Sequence, residues 1–296
     1  MPVLGYAAAK NAVAKRKEVF QQGLSELGYA EDKNIRIEYR EAVLDADYDA
    51  VMAEFIARKM DIIVAANAPA AVAAAKATKN IPIVILAVND PVGLGLVKSL
   101  DRPDTNVTGT TMYAPHLIGE RLRMLKRIMP DLTKIAVVMN GNNRNNAAQV
   151  QSIQSQARDM GIDVLPLDIR KPEDVVPAFE RAAAFGAKAL LNGVDSFVNS
   201  QRRSLAEQAA RHNLFAIYTD VEYVMAGGLM ALGPGHFEGY YGAARYVDRI
   251  LKGASPADMP IAGPTQFTFS ARRSGLGRLE VKLPEDIASR VNDWID

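Results

Sequence analysis

The sequence contains no cysteine. This excludes disulfides, thiolate nucleophiles and cysteine-held metals together, and it fits a reducing compartment as well as an oxidising one. Histidine is nearly as scarce. The three present, His116, His212 and His236, are far apart and never at metal-ligand spacing, so no metal site is expected. His212 falls near a predicted helix end, where an imidazole complements the helix dipole. The single tryptophan, Trp294, lies near the C-terminal end and is expected to pack there. No apolar run approaches the ~18 residues of a membrane span. A strong charge bias is also missing: the net charge is +1 and the basic residues are scattered. The densest run, Lys15-Arg16-Lys17, has no interleaved aromatics and reads as a solvated helix surface, so no nucleic-acid partner is expected.

The usual enzyme signatures are absent as well. Gly93-Leu94-Gly95 and Gly233-Pro234-Gly235 lack the third placed glycine and the strand-turn-helix setting of a dinucleotide fingerprint. No phosphate loop of the Gly-Lys-Ser/Thr type and no Gly-x-Ser-x-Gly elbow occurs. Neither a catalytic set nor a cofactor is expected.

What is there is rhythm. With 296 residues, 49% of them hydrophobic and 23% charged, the chain can bury the cores of two α/β units. Residues 3–7 read as a strand, and Phe20, Leu24 and Leu27 mark one face of a following helix that Gly28 closes. Residues 35–39 alternate apolar and polar. Tyr48, Val51, Met52, Phe55 and Ile56 then recur at helical spacing. Residues 61–65 and 82–88 are continuous apolar runs, the mark of parallel strands buried on both faces, with an alanine-rich helix over 70–77 between them. Such alternation implies right-handed crossovers and a parallel sheet.

The pattern resets over 107–113. Ile118, Leu122, Leu125 and Met129 share one helical face and lead to a strand at 134–139. The cycle then repeats, with helices near 147–160, 172–184 and 200–212 and strands at 162–167, 187–191 and 214–218. The run Ile83 to Leu96 and the run Leu214 to Leu229 echo each other. Each is a buried strand reaching Asp90 or Asp220, a short turn, and a Gly-Leu step, which points to duplication.

In an open parallel sheet, ligands bind beyond the carboxyl ends of the strands. The residues expected there are polar: Asn67, Asn89 and Asp90 in the first unit, and Asn140, Asn142, Asn143, Asp195, Ser196, Asp220 and Glu222 in the second. Asn67 suits an N-cap and Pro69 the first helical turn. The N–H groups of Ala68 and Ala70 would then be free for a carboxylate, or the segment is an ordinary capped helix. Asp195 could receive an ammonium group, or could simply cap the helix that follows. Tyr6, Tyr113 and Phe197 are candidate aromatic contacts. Together these suggest an amino acid or related carboxylate with an aromatic or apolar side chain. The Arg272-Arg273-Ser274-Gly275 stretch reads as a solvated loop.

Several segments together resemble the substrate-binding proteins of ATP-binding-cassette importers, in the subfamily related to tryptophan/tyrosine-type binding proteins. They are Phe20-x-x-Gly23-Leu24-x-x-Leu27-Gly28-Tyr29 with Asn34-Ile35-x-Ile37-Glu38-Tyr39, Ala68-Pro69-Ala70-Ala71, Ile81-Pro82-Ile83-Val84 leading to Asp90-Pro91-Val92-Gly93, Asn106-Val107-Thr108-Gly109, and Ala226-Gly227-Gly228-Leu229. The likeness runs over about residues 3–270; the segment after Ser270 departs from it.

The resemblance implies a type I periplasmic-binding fold, with two doubly wound parallel-sheet lobes that close over a small solute. Lobe one would comprise residues 1–112 plus 234–264, and lobe two residues 113–233 plus 265–296. The hinge crossings would lie near 111–113, 230–233 and 264–267. The implied partners are a small-molecule solute and a membrane permease, with the protein itself a monomer. Residues Met1 to Tyr6 already read as a strand without a basic or apolar leader. The expected location is therefore periplasmic with the export signal outside the numbered sequence, or else cytoplasmic. The competing function is a ligand-sensing domain that signals to a partner protein; regulators of that type carry a helix-turn-helix before the first strand, which is not present here.

Overall fold

The computed structural model describes residues 1–9, 14–42, 47–114, 116–235 and 237–296. His236 therefore lies outside the described residues. The chain forms two compact units: Met1–Tyr113 with Phe237–Pro264, and Ala114–His236 with Thr265–Asp296.

The first unit is a parallel sheet of β1 (Val3–Ala9), β2 (Arg36–Ala42), β3 (Ile62–Ala65), β4 (Ile83–Val88) and β5 (Val107–Thr111), in the order β2-β1-β3-β4-β5. Its central strands are apolar throughout because both faces are covered. Successive side chains go to opposite sides: Ile63, Ile83 and Ile85 enter one core, while Ile62, Val64, Val84 and Leu86 enter the other. Each fully buried residue of this size stabilises the fold by roughly 1.5–3 kcal/mol. The second core is closed by two helices distant in sequence, Ala14–Glu26 and Glu238–Leu251, through Phe20, Leu24, Tyr240, Ala243 and Val247. They approach closely at Gly23, where a Cβ would lie 2.7 Å from the Tyr241 carbonyl.

β4 ends in a bulge. The register shifts between Ile85 and Val88, and Ala87 adopts φ 51°. The Ala87 N–H donates to Thr110 Oγ1 at 3.0 Å, and that hydroxyl donates to the Gly239 carbonyl at 2.9 Å. Bulges redirect the strand beyond them; this one sets the course of the chain into Asn89 and Asp90.

The second unit repeats the plan. β6 (Lys134–Met139), β7 (Asp163–Asp168), β8 (Ala189–Asn192), β9 (Phe215–Tyr218) and β10 (Met230–Pro234) lie in the order β7-β6-β8-β9-β10, the same winding as the first unit. The echoing runs fall on β4 and β9, the fourth strand of each. Alternation again divides the core: Ile135, Val137, Leu191 and Ile217 on one face, Ala136, Val138, Leu190 and Tyr218 on the other.

Four details differ from the sequence reading. The second sheet is not purely parallel, since β11 (Phe267–Arg272) pairs antiparallel with β10 and carries the short edge strand β12 (Asp293–Ile295). Residues 230–233 are part of β10 rather than a crossing, and Pro234 stays in the second unit by pairing with Phe267. The helix expected over 200–212 runs Arg202–Arg211, and a separate short helix, Ser196–Ser200, capped by Asp195, precedes it. Arg272 ends β11, and Arg273 opens the helix Arg273–Arg278, so the stretch is not a loop. Among the described residues, no helix is long and apolar enough to cross a membrane.

Candidate functional site

In this winding the strand order reverses between β1 and β3 in the first unit and between β6 and β8 in the second. Crevices at such reversals, beyond the carboxyl ends, are where doubly wound sheets take ligands.

At the first reversal, Asn67 follows β3 in an extended conformation (φ −161°) and caps the helix Ala68–Ala77. Its Oδ1 accepts the Ala70 N–H at 2.8 Å, and its Nδ2 donates to the Tyr48 hydroxyl at 2.6 Å. The Ala71 N–H donates to the Asn67 carbonyl. This corrects the expectation of two free donors: the Ala70 N–H is taken by the cap, and only that of Ala68 has no partner among the described residues. The Ala70 side chain is 0% exposed and belongs to the core.

Asn89 is half-buried beyond β4. Asp90 is buried, and its Oδ1 accepts the Gly93 N–H at 2.9 Å, closing the turn that follows. Beyond β5, the half-buried Tyr113 donates its N–H to Thr111 Oγ1 at 3.0 Å. Tyr6 is not at the strand edge. It lies mid-strand, 4% exposed, with its ring against Phe20 and Tyr39, and burial pushes its hydroxyl above the ordinary range. It is core, because an aromatic at an inward position of a central strand has nowhere else to go.

The second reversal gathers more polar groups. Asp195, 4% exposed beyond β8, accepts the Val198 N–H at 2.8 Å as the cap of Ser196–Ser200. Asn143 Nδ2 donates to its Oδ2 at 2.8 Å, and Asn140 Nδ2 reaches both of its oxygens at 3.3 Å. No Lys or Arg among the described residues pairs with it within 4.0 Å; its partners are neutral amides.

The turn before Asp195 is held from the helix Arg144–Asp159. Gln149 Nε2 and Asn146 Nδ2 donate to the Val194 carbonyl, and the Val194 N–H donates back to Gln149 Oε1 at 2.8 Å. Asn146 Oδ1 also accepts the Asn140 N–H at 2.9 Å. A Cβ at Gly193 would lie 2.9 Å from the Asn146 amide, so a larger residue there would displace that side chain. Asn142 is exposed and Phe197 half-buried against the core.

Beyond β9, Asp220 caps the helix Val221–Met225 by accepting the Glu222 N–H at 2.7 Å. Glu222 faces Arg202 at 3.6 Å. Asn192 joins the two strand ends, donating to Thr219 Oγ1 at 3.0 Å and to the Tyr223 hydroxyl at 3.1 Å. Tyr223 stacks on Tyr218 with centroids 4.6 Å apart. Burial first, then Asp220, holds the Tyr223 hydroxyl well above its ordinary range, so it stays protonated.

The structure thus joins Asn140 and Asp195 into one network, with Asn143, and sets Asp220 and Glu222 beside it. Tyr6 falls outside any strand edge. Asn146, Gln149, Asn192, Thr219 and Tyr223 were missed by the sequence reading, although the three-residue spacing of Asn143, Asn146 and Gln149 marks one helical face. Among the described residues, no cluster could hold a metal ion. The arrangement offers buried acceptors and amides, suited to holding a polar small molecule.

A family model described as ABC transporter substrate binding protein matches residues 8–294. A tyrosine-binding protein of Clostridioides difficile is 31% identical over 248 residues, covering 83% of this chain and 71% of its own. A conserved domain protein from Vibrio cholerae superposes with a TM-score of 0.85 at 26% identity, covering 99% of each chain. A Streptococcus pneumoniae domain in complex with L-Trp gives the same TM-score at 21% identity and 99% coverage of both chains. The fold is the type I periplasmic-binding fold. With a family match over nearly its whole length, the chain belongs to the ABC transporter substrate-binding proteins.

Proposed function

We propose that the protein is the solute-binding component of an importer, acting outside the cytoplasmic membrane and delivering an amino acid with an aromatic or apolar side chain to a membrane permease. The observation that carries this reading is Asp195: a carboxylate 4% exposed, held by Val198, Asn140 and Asn143, and without a cationic partner among the described residues. A buried charge of this kind is costly unless paired, and an ammonium group is the complement. The tyrosine-binding relative and the L-Trp-bound neighbour support an α-amino acid as that complement.

Titration calorimetry with L-tyrosine, L-tryptophan and L-leucine tests the reading, with 3-(4-hydroxyphenyl)propionate as the analogue lacking the amine. Asp195→Asn keeps a competent cap and should weaken the amino acid at least ~10-fold, about 1.4 kcal/mol. It should leave the amine-free analogue within about twofold. Equal losses for both compounds would make Asp195 a cap alone.

A further inference from the structure

At its carboxyl end β4 carries one residue more than its neighbour. Ile85 pairs with Gly109 and Val88 with Thr111, so three steps on β4 answer two on β5. The extra residue interrupts the alternation. Val84 and Leu86 pack in the core that holds Phe20 and Tyr240, Ala87 joins them there, and Val88 returns to the core of Ile63 and Ile85. Straightened into a regular strand, the same sequence would send Val88 into the other core and turn over the residue that follows it, Asn89.

The bulge is held against its own backbone preference. Ala87 has φ 51°, a left-handed conformation that is unfavourable for alanine and open to glycine. Strain of this kind persists where the surrounding contacts over-determine it, and it gathers at ligand sites. Here the contacts are two consecutive hydroxyls of β5. Thr110 Oγ1 accepts the Ala87 N–H at 3.0 Å and donates to the Gly239 carbonyl at 2.9 Å, while Thr111 Oγ1 donates to the Val88 carbonyl at 2.6 Å. Two glycines make room for them. A Cβ on Gly109 would lie 2.2 Å from the Ile85 carbonyl oxygen, and one on Gly239 would lie 3.2 Å from Ala87 Cβ.

What the bulge delivers is Asn89. Of the three polar residues Asn67, Asn89 and Asp90 beyond β3 and β4, Asn67 uses both ends of its amide on Ala70 and Tyr48, and Asp90 closes its turn through Gly93. Asn89 is half-buried, and its side-chain amide has no partner among the described residues. We propose that Thr110 is a positioning residue for ligand binding: its hydroxyl locks the bulge, and the locked bulge holds the Asn89 amide where it hydrogen-bonds the ligand. This rests on the amino-acid reading above. Asn89 touches the ligand, and Thr110 acts through it.

The test is a double-mutant cycle on L-tyrosine affinity, measured by calorimetry with folding checked by circular dichroism. Its members are wild type, Asn89→Ala, Thr110→Val and the variant carrying both changes, with Thr110→Ser beside them. Asn89→Ala should weaken L-tyrosine about tenfold, the loss of one ligand hydrogen bond. Thr110→Val, close in shape but without the hydroxyl, should weaken it about fivefold or more, and Thr110→Ser should stay within about twofold of wild type. In the Asn89→Ala background Thr110→Val should weaken binding by no more than about twofold further, because the residue it positions is gone. A merely structural role for Thr110 would weaken binding by the same factor in both backgrounds, and that result overturns the inference. Unchanged affinity in Asn89→Ala overturns it too, and this arm stands whether or not Thr110→Val folds. Either outcome, in a protein that binds L-tyrosine and loses it on Asp195→Asn, sinks this inference alone. No amino-acid binding by wild type overturns the parent reading and this inference with it.

Discussion

Asn67 performs two tasks with one side chain, capping the helix Ala68–Ala77 through Oδ1 and holding the Tyr48 hydroxyl through Nδ2. Loss of an N-cap of this type costs roughly 1 kcal/mol, and the second bond adds to it. Asn67→Ala should lower the urea midpoint, while Asn67→Asp, which keeps the cap, should fall between it and wild type. Ala70→Leu belongs to a different class. Its side chain points into a filled core, so overpacking should cost about 1–3 kcal/mol in stability. Tyr6→Phe, with its ring kept among Phe20 and Tyr39, should leave ligand affinity within about twofold. That polar residues follow the strands was legible in the sequence, because the carboxyl end of a buried parallel strand is fixed by chain geometry. How each side chain directs its hydrogen bonds was not. Asn140 and Val198 meet on Asp195 across separations of 55 and 3 residues, and only tertiary structure brings them together.

At the scale of elements, the helix Arg144–Asp159 is the brace of the second unit's edge. Asn146 and Gln149 grip the Val194 backbone from one face. Gln149→Leu would leave the buried Val194 N–H without its acceptor, at a cost of about 1–3 kcal/mol. It should also weaken amino-acid binding, because Asp195 is the next residue. Urea unfolding and calorimetry on the same variant check both effects; a stability loss with unchanged affinity would confine the brace to folding. The buried strands were the easiest elements to read, since a run such as residues 82–88 leaves little alternative. β10 was not, because a five-residue strand holding Gly233 and Pro234 has the composition of a turn. It exists as a strand because Gly233 alone permits the approach to the Thr219 carbonyl. Arg121 was invisible for another reason: on the helix Leu117–Ile128, which also carries Arg123, Lys126 and Arg127, it reads as one more surface cation, yet it is 1% exposed.

At the scale of the molecule, the two units share one winding, but the second is extended by β11 and β12. β12 is tied down by the Ser270 hydroxyl donating to Asp293 at 2.8 Å and by Arg273 over the Trp294 ring at 4.2 Å. Deleting residues 293–296 should uncover the β11 edge, lower the melting temperature and promote association between chains, which calorimetry and light scattering would register.

The way the chain is divided also sets a timetable for synthesis. Residues 237–264 complete the first unit, with Tyr240, Ala243 and Val247 covering part of one face of its sheet, yet they leave the ribosome after nearly all of the second unit. Residues 265–296, which extend the second unit's sheet, emerge last. Domains made from continuous segments fold one after another as they appear; here both units wait for the final quarter of the chain. Nascent chains arrested at residue 236 should therefore remain protease-sensitive in both units, and protection should appear in the first unit only once residue 264 has cleared the exit tunnel.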